Sequence, residues 1–165
     1  MISSGCSHLE LVIHESGETA MEFDAASLPA DTYREFPYGD LVYVRIRIVF
    51  EDALFVKVNR NLDRFGLEGL GYDCSALPSI TVESLDEDLL QFRSKWATMR
   101  SCPDSNFYVI EDSSWLKSIG DAGEGLQHFV VKGVDILIEL LAKDWREVES
   151  RASQSQLLPI QLDAK

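Results

Sequence analysis

Cysteine is scarce in this chain of 165 residues, and the three that occur, Cys6, Cys74 and Cys102, lie far apart. An odd number at wide spacing argues against a disulfide framework and indicates a reducing compartment, so we expect a cytoplasmic protein. No C-x-x-C pair occurs, and the ligand spacing typical of zinc sites and thioredoxin-like redox centres is therefore missing. We expect neither a metal nor a cofactor.

Long apolar runs are also missing. The longest fall far short of the roughly 20 residues that a membrane-spanning helix needs. No basic segment followed by an apolar one precedes Cys6, so the first residues do not have the pattern of a secretory signal peptide. The sequence predicts a soluble protein that does not bind membranes.

Positive charge is in short supply. The 15 lysines and arginines are outnumbered by 28 aspartates and glutamates, which gives a formal net charge of −13 at pH 7. The excess is even along the chain, because residues 1–80 hold 6 basic and 13 acidic side chains and residues 81–165 hold 9 and 15. Such a surface repels nucleic acid and attracts basic proteins. We therefore expect a basic protein partner and no nucleic-acid partner.

The sequence contains no recognisable catalytic motif. The glycines at 66–71 follow the pattern G-x-x-G-x-G, whereas a dinucleotide-binding loop needs G-x-G-x-x-G between a strand and a helix. The phosphate-loop pattern that ends in Gly-Lys-Ser/Thr does not occur either. Acidic pairs such as Glu51-Asp52 are explained by turns and helix starts. No catalytic residue is selected, and a protein that is not an enzyme is favoured over an enzyme.

Alternating apolar residues predict strands in the first half of the chain. Residues 9–13 and 19–23 show period-two patterns, and the strongest alternation covers Leu41–Phe50. The alternation resumes at 54–58 after a short polar break, which is typical of a β-hairpin. Residues 25–40 contain two prolines and a glycine and are predicted to form a long loop.

The clearest helix is predicted at 84–99, where Ser84 and Glu87 form a capping box. One apolar stripe follows at spacings of four and three, made of Leu85, Leu89, Phe92, Trp96 and Met99. Residues 127–142 fit either a second hairpin or a helix face. We favour strands through about Leu141 and a helical Trp145–Arg151.

Together these elements predict an α+β fold. It consists of a mostly antiparallel β-sheet with one main amphipathic helix (about 84–99) packed on one face. The length is that of one domain, which we place at 1–150. Residues 151–165 are expected to be a polar C-terminal tail that is prone to fraying.

Two groups of residues are candidate binding sites. The first group is acidic, lies in strand, turn and loop positions that we expect to be exposed, and would contact a basic partner: Glu10, Glu51, Asp52, Glu111, Asp112 and Asp121. The second is an alternative ligand-binding group of Tyr43, Arg45, Arg47 and His128. The simpler account of the arginines is that their stems cover a sheet face while their guanidinium groups pair with carboxylates. The simpler account of His128 is a histidine at the core edge, hydrogen-bonded to a backbone carbonyl.

The leading functional interpretation is a non-enzymatic small acidic binding protein. It would be an immunity or inhibitor protein that engages a basic partner such as a bacterial toxin, because an acidic face steers association with a basic one. In general character the chain resembles many bacterial immunity proteins, a likeness of class that covers no aligned residues. The alternatives are a small ligand-binding protein or enzyme that uses the Tyr/Arg-lined sheet face, and a structural or assembly subunit.

Overall fold

A computed structural model describes residues 2–15, 17–27, 42–60, 66–75, 77–78, 84–99, 102–133, 136–150 and 159–164. The strands in these ranges are β1 (Ile2–Ile13), β2 (Thr19–Ser27), β3 (Val42–Glu51), β4 (Phe55–Arg60), β5 (Phe107–Glu111), β6 (Gln127–Lys132), β7 (Ile136–Ala142), β8 (Asp144–Ser150) and β9 (Ile160–Asp163). The helices are α1 (Gly66–Gly69), α2 (Leu85–Met99) and α3 (Ser114–Ser118), with a 3-10 turn at Gly120–Gly123. None of these helices has the length and apolar character needed to span a bilayer.

The strands form two sheets. Sheet I has the order β1-β2-β3-β8 and is antiparallel throughout. Sheet II has the order β4-β7-β6-β5-β9 and contains one parallel pair, β5 with β9. The predicted mostly antiparallel pairing is thereby confirmed, but the strands are divided between two sheets and do not form the single sheet that the sequence predicted.

The main core lies between the two sheets. Side chains alternate across a strand, so every second residue points inward and the rest point outward. Three aromatic rings form its centre: the Phe129 ring lies 5.5 Å from that of Phe50 and 6.0 Å from that of Phe107, centroid to centroid. The other fully buried members are Met21, Phe23, Ala25, Ile46, Ile48, Val131, Ile138, Leu140 and Ala142.

The outer face of sheet II is buried as well. Tyr108, Val130 and Leu137 pack there under Leu67 of α1 and Tyr72. Strands that are covered on both faces have nearly continuous apolar sequences, as β6 and β7 do. This explains why the pattern at 127–142 fits both a strand and a helix, and the structure shows strands.

The predicted hairpin between residues 41–50 and 54–58 is wrong. β3 belongs to sheet I and pairs with β2 and β8, whereas β4 belongs to sheet II and pairs with β7. Residues 52–54 carry the chain from one sheet to the other, and the Leu54 amide donates to the Leu141 carbonyl at 3.0 Å. Lys143 makes the reverse crossing between β7 and β8. The helical expectation for 145–151 is also wrong over 145–150, because these residues continue β8 along the edge of sheet I.

Helix α2 forms where it is predicted. Phe92 and Trp96 are buried from its apolar stripe, whereas Met99 is 61% exposed. That α2 packs on a sheet face is not confirmed; the main core of each sheet is completed by the other sheet.

Two loop expectations concern segments that are only partly described. Residues 25–27 of the predicted loop belong to β2, and residues 28–40 lie outside the described residues. Part of the expected C-terminal tail is strand β9, whose Leu162 is buried beside Ile110 in sheet II, while residues 151–158 lie outside the described residues.

Candidate functional sites

One end of the two-sheet structure collects acidic residues. We call it the acidic end, and it comprises residues 14–15 and 17–18, loops 52–54 and 112–126, Lys143, and the strand-terminal residues next to them. The ends of β3, β5, β7 and β9 and the starts of β4, β6 and β8 all meet there, because each pairs in register with its neighbours. Its carboxylates are Glu15, Glu18, Glu51, Asp52, Glu111, Asp112, Asp121, Glu124, Asp144 and Asp163.

Five of the six acidic residues predicted to contact a partner are at this end: Glu51, Asp52, Glu111, Asp112 and Asp121. All five are exposed. The sixth, Glu10, lies on β1, where its carboxylate is 3.4 Å from the Arg45 guanidinium. The structure therefore brings most of this group together and places Glu10 elsewhere.

Few cations neutralise the acidic end. Asp52 pairs with Lys143 at 2.8 Å, a hydrogen bond that raises the pKa of the lysine. Asp112 pairs with Lys117 at 3.2 Å, and both Glu18 and Glu51 reach arginines. Within the part of the chain that the structure describes, the remaining carboxylates make no ion pair: Glu15, Glu111, Asp121, Glu124, Asp144 and Asp163. The end is therefore a field of largely uncompensated negative charge.

The arginine group lies on the outer face of sheet I. Arg47 bonds Glu22 at 2.5 Å and Glu18 at 3.0 Å, and these hydrogen bonds raise the pKa of the guanidinium. Arg45 lies within 3.5 Å of carboxylate oxygens on Glu10, Glu22 and Asp24. Carboxylates thus surround both guanidinium groups, so this face is a network of internal ion pairs. Tyr43 is 66% exposed on the same strand.

His128 is separated from the arginines. It lies on the outer face of sheet II and is 2% exposed. It lines a pocket of about 240 Å³ together with polar groups from several segments. The pocket residues are Lys57, Leu70, Gly71, Tyr72, Ser113, Ser114, Trp115, His128, Glu139 and Ala164. Residues of three strands, of α3 and its N-cap, of the segment after α1 and of the position after β9 meet here.

Glu139 is the buried anion of this pocket and is 7% exposed. Asn59 donates to its Oε1 at 2.6 Å, and the Tyr72 hydroxyl donates a short hydrogen bond to its Oε2. Burial alone raises the pKa of Glu139, but interactions with His128, Tyr72 and Asn59 outweigh it and lower the pKa to about 2. Burial and the hydrogen bond to Glu139 raise the pKa of Tyr72. Glu139 is therefore ionised at neutral pH while Tyr72 keeps its proton.

Each of the two nitrogens of the His128 ring has one polar neighbour, Ser113 at Nδ1 and Glu139 at Nε2. The Ser113 Oγ is 2.8 Å from Nδ1 and also accepts the Leu116 amide at 3.1 Å, as the N-cap of α3. The ionised Glu139 carboxylate beside Nε2 favours the ring proton on that nitrogen, and Nδ1 then accepts the Ser113 hydroxyl proton. Nε2 lies 3.4 Å from the Glu139 Oε2, off the line of a hydrogen bond. The Ser113 hydroxyl, the His128 imidazole and the Glu139 carboxylate thus lie next to one another in that order.

Aromatic side chains hold the imidazole in place. The Trp115 ring meets the His128 ring edge-on at 5.2 Å between centroids, and the Tyr72 ring does so at 6.0 Å. The Lys57 ammonium lies 3.4 Å from the centre of the Trp115 ring, in a cation–π contact. Among the described residues that line the pocket, Lys57 is the only lysine or arginine.

The sequence pointed to His128 but not to its partners, which are the Ser113 hydroxyl and the Glu139 carboxylate instead of the expected backbone carbonyl. Ser113 belongs to a capping signal, and Tyr72 follows a glycine-rich stretch. The one available clue was Glu139, a lone charge within the apolar run of β7. A single ionisable residue in such a strand needs a buried partner.

Comparisons with known proteins add no assignment: the chain matches no protein family, no curated protein and no solved structure.

Proposed function

We propose that this protein binds a basic protein partner through the acidic end. The observation that carries the proposal is the set of exposed carboxylates there that lack an internal cation, which separate segments of the chain bring to one end. Uncompensated charge of one sign raises the rate of encounter with a partner of the other sign. The arginines on the outer face of sheet I are less suited to bind a partner, because carboxylates of the same chain already pair with them.

Exposed apolar side chains at the same end support the proposal further. Leu54 is 59% exposed and Phe55 is 39% exposed, directly after Asp52 in the crossing between the sheets. Protein interfaces combine an apolar centre with a polar or charged rim. The acidic end offers both, so it suits a partner that presents an apolar patch among lysines and arginines.

A basic toxin is the partner that fits this description best, and the protein would then be an immunity or inhibitor protein. A nuclease presents positive charge around its substrate groove, and an acidic surface of complementary shape would cover that groove.

The test is retention of a basic protein from a lysate of the native host on the immobilised chain. Two double variants carry the same change in net charge. Glu111→Gln with Glu124→Gln removes two exposed carboxylates from the acidic end, and Glu10→Gln with Glu87→Gln removes two exposed carboxylates outside it. Capture is run at low and at about 0.15 M salt, where the Debye length falls to about 8 Å.

We expect one basic protein to be retained by the parent chain and by the Glu10/Glu87 variant, and to be lost or weakened with the Glu111/Glu124 variant. Higher salt should weaken its capture. Equal loss with both variants would mean that only net charge matters. Absence of any basic protein at either salt concentration would overturn the proposal.

A further inference from the structure

A hydroxyl, an imidazole and a carboxylate stand in sequence at the wall of the pocket on sheet II. Ser113 Oγ is 2.8 Å from His128 Nδ1, and His128 Nε2 is 3.4 Å from Glu139 Oε2. This is the order of groups that activates a serine for nucleophilic attack. We propose that Ser113 is a nucleophile which His128 activates, and that the pocket accepts the acyl group of a small ester. This inference does not depend on the proposed partner binding.

The ring orientation suits the role of a general base. In the tautomer that the Glu139 carboxylate favours, Nδ1 is unprotonated and accepts a hydrogen bond from the Ser113 hydroxyl. Nε2 carries the other proton and faces the ionised Glu139. In the Ser-His-Asp triad of serine proteases the two ring nitrogens have the opposite roles: Nε2 takes the serine proton and Nδ1–H faces the carboxylate. Either ring nitrogen can be the unprotonated one in a neutral imidazole, so His128 can act as a general base through Nδ1.

The buried Nε2 atom of His128 is a second indication that the ring becomes protonated during a reaction. It is fully buried, and within the described part of the chain it has no aligned hydrogen-bond partner. Leaving a buried donor unpaired is costly. Once Nδ1 takes the serine proton, the ring becomes a cation, and its Nε2–H gains a charge-assisted bond to Glu139 by closing the 3.4 Å gap. The site is thus better satisfied when His128 is protonated by Ser113.

The backbone and the pocket suit this role for Ser113. Asp112, just before it, has a φ of +52°, a left-handed conformation that turns the chain sharply at the end of β5. The pocket of about 240 Å³ has room for a short acyl group only. Lys57 brings one positive charge to the same pocket, with its ammonium 3.4 Å from the centre of the Trp115 ring.

The reaction balances without a cofactor. Ser113 Oγ bonds to the ester carbonyl carbon while its proton moves to His128 Nδ1. The bond from that carbon to the alcohol oxygen then breaks, and the departing oxygen takes the proton from His128. This leaves an acyl-serine and a free alcohol. Water attacks the acyl-serine with its proton passing to His128, the carboxylic acid leaves, and Ser113 recovers a proton.

The probe is p-nitrophenyl acetate, whose reaction releases coloured nitrophenol and leaves one acetyl group on the protein. We expect mass spectrometry to place that acetyl group on Ser113. Ser113→Ala should abolish it, and His128→Gln should slow acetylation at pH 7 by about 100-fold or more, the contribution of a general base. Ser118→Ala is the matched control, because Ser118 is exposed on the same helix and its hydroxyl donates to the Trp115 carbonyl. Acetylation of lysines or cysteines alone would overturn the proposal.

Glu139 acts through His128, so it is a positioning residue and needs a separate readout. The charged groups at the ring are Glu139 from β7 and Lys57 from β4, with the titratable Tyr72 from the segment after α1. Loss of the anion destabilises the imidazolium, and Glu139→Gln should therefore move the inflection of the rate–pH profile to lower pH. A purely structural carboxylate would lower the amount of folded protein but leave the inflection unchanged.

A second variant keeps the test decisive if the alanine variant fails to fold. In Ser113→Cys the thiol keeps the position beside His128. We expect iodoacetamide to alkylate it at pH 7 at least about tenfold faster than Cys74 and Cys102 in the same molecule, because an imidazole partner raises the thiolate fraction. His128→Gln in this background should remove the difference. Equal alkylation of all these thiols would refute activation by His128.

Discussion

Replacing Glu139 by glutamine tests the buried network most directly. Glutamine has the shape of a protonated carboxyl group and can still accept from Tyr72, but it carries no charge. The pKa of Glu139 is lowered from 4.5 to about 2 in the folded protein. One pKa unit corresponds to about 1.36 kcal/mol, so the charge stabilises the fold by roughly 3 kcal/mol at neutral pH. Glu139→Gln should lower the free energy of unfolding at pH 7 by about this amount.

The pH dependence follows from the direction of the shift. Because the pKa is lower in the folded than in the unfolded chain, the stabilisation is complete above about pH 4.5 and is lost as the pH falls towards 2. At pH 3 the difference between parent and variant should shrink to less than about half of its value at pH 7. Below the folded-state pKa the two proteins should differ little.

Urea unfolding followed by tryptophan fluorescence measures these free energies at pH 7 and pH 3. Glu124→Gln is the matched control, since Glu124 is exposed and its loss should change stability by less than about 0.5 kcal/mol. A Glu139→Gln variant as stable as the parent at pH 7 would refute the reasoning. So would a deficit of the same size at both pH values, because a loss of shape or packing does not depend on pH.

Three further changes test the fold. Phe129→Ala removes the ring between Phe50 and Phe107 and should cost about 3–5 kcal/mol in urea unfolding; a loss below about 1 kcal/mol would contradict the core between the sheets. Leu162→Ala should cost about 2–5 kcal/mol if β9 is part of sheet II, whereas a frayed tail predicts no change. Asp112→Gly should be nearly neutral while Asp112→Val should cost about 1–3 kcal/mol by thermal unfolding, since φ is +52° there; equal effects would argue against the left-handed turn.

Much of the secondary structure could be predicted because it depends on neighbours in sequence. The alternation at 41–50 corresponds to β3, and the apolar stripe at 84–99 corresponds to α2. Period two and period 3.6 place apolar side chains on one face whatever lies opposite. The same patterns do not say which strands pair. The short break after β3 is as compatible with a crossing to a second sheet as with a hairpin, and only the packing of the two apolar faces decides between them.

The acidic end was partly predictable for a similar reason. Exposed acidic residues in turns are recognisable from composition and position, and five of the six named are at one end. Glu10 was grouped with them because sequence does not show which loops meet. Its carboxylate faces Arg45 across the sheet, a contact that depends on the register of three strands.

The pocket residues depended almost wholly on tertiary structure. Composition alone determined that the chain carries a strong negative charge, few cysteines and enough apolar residues for a core. The order of residues also shows His128 as a titratable residue within an apolar run. The folding of α3 over sheet II places Ser113 beside one nitrogen of the His128 ring, and the register of β6 with β7 places Glu139 beside the other. The contacts of 2.8 and 3.4 Å join residues 15 and 11 positions apart and form only when the chain folds, because a sequence pattern specifies faces and not distances.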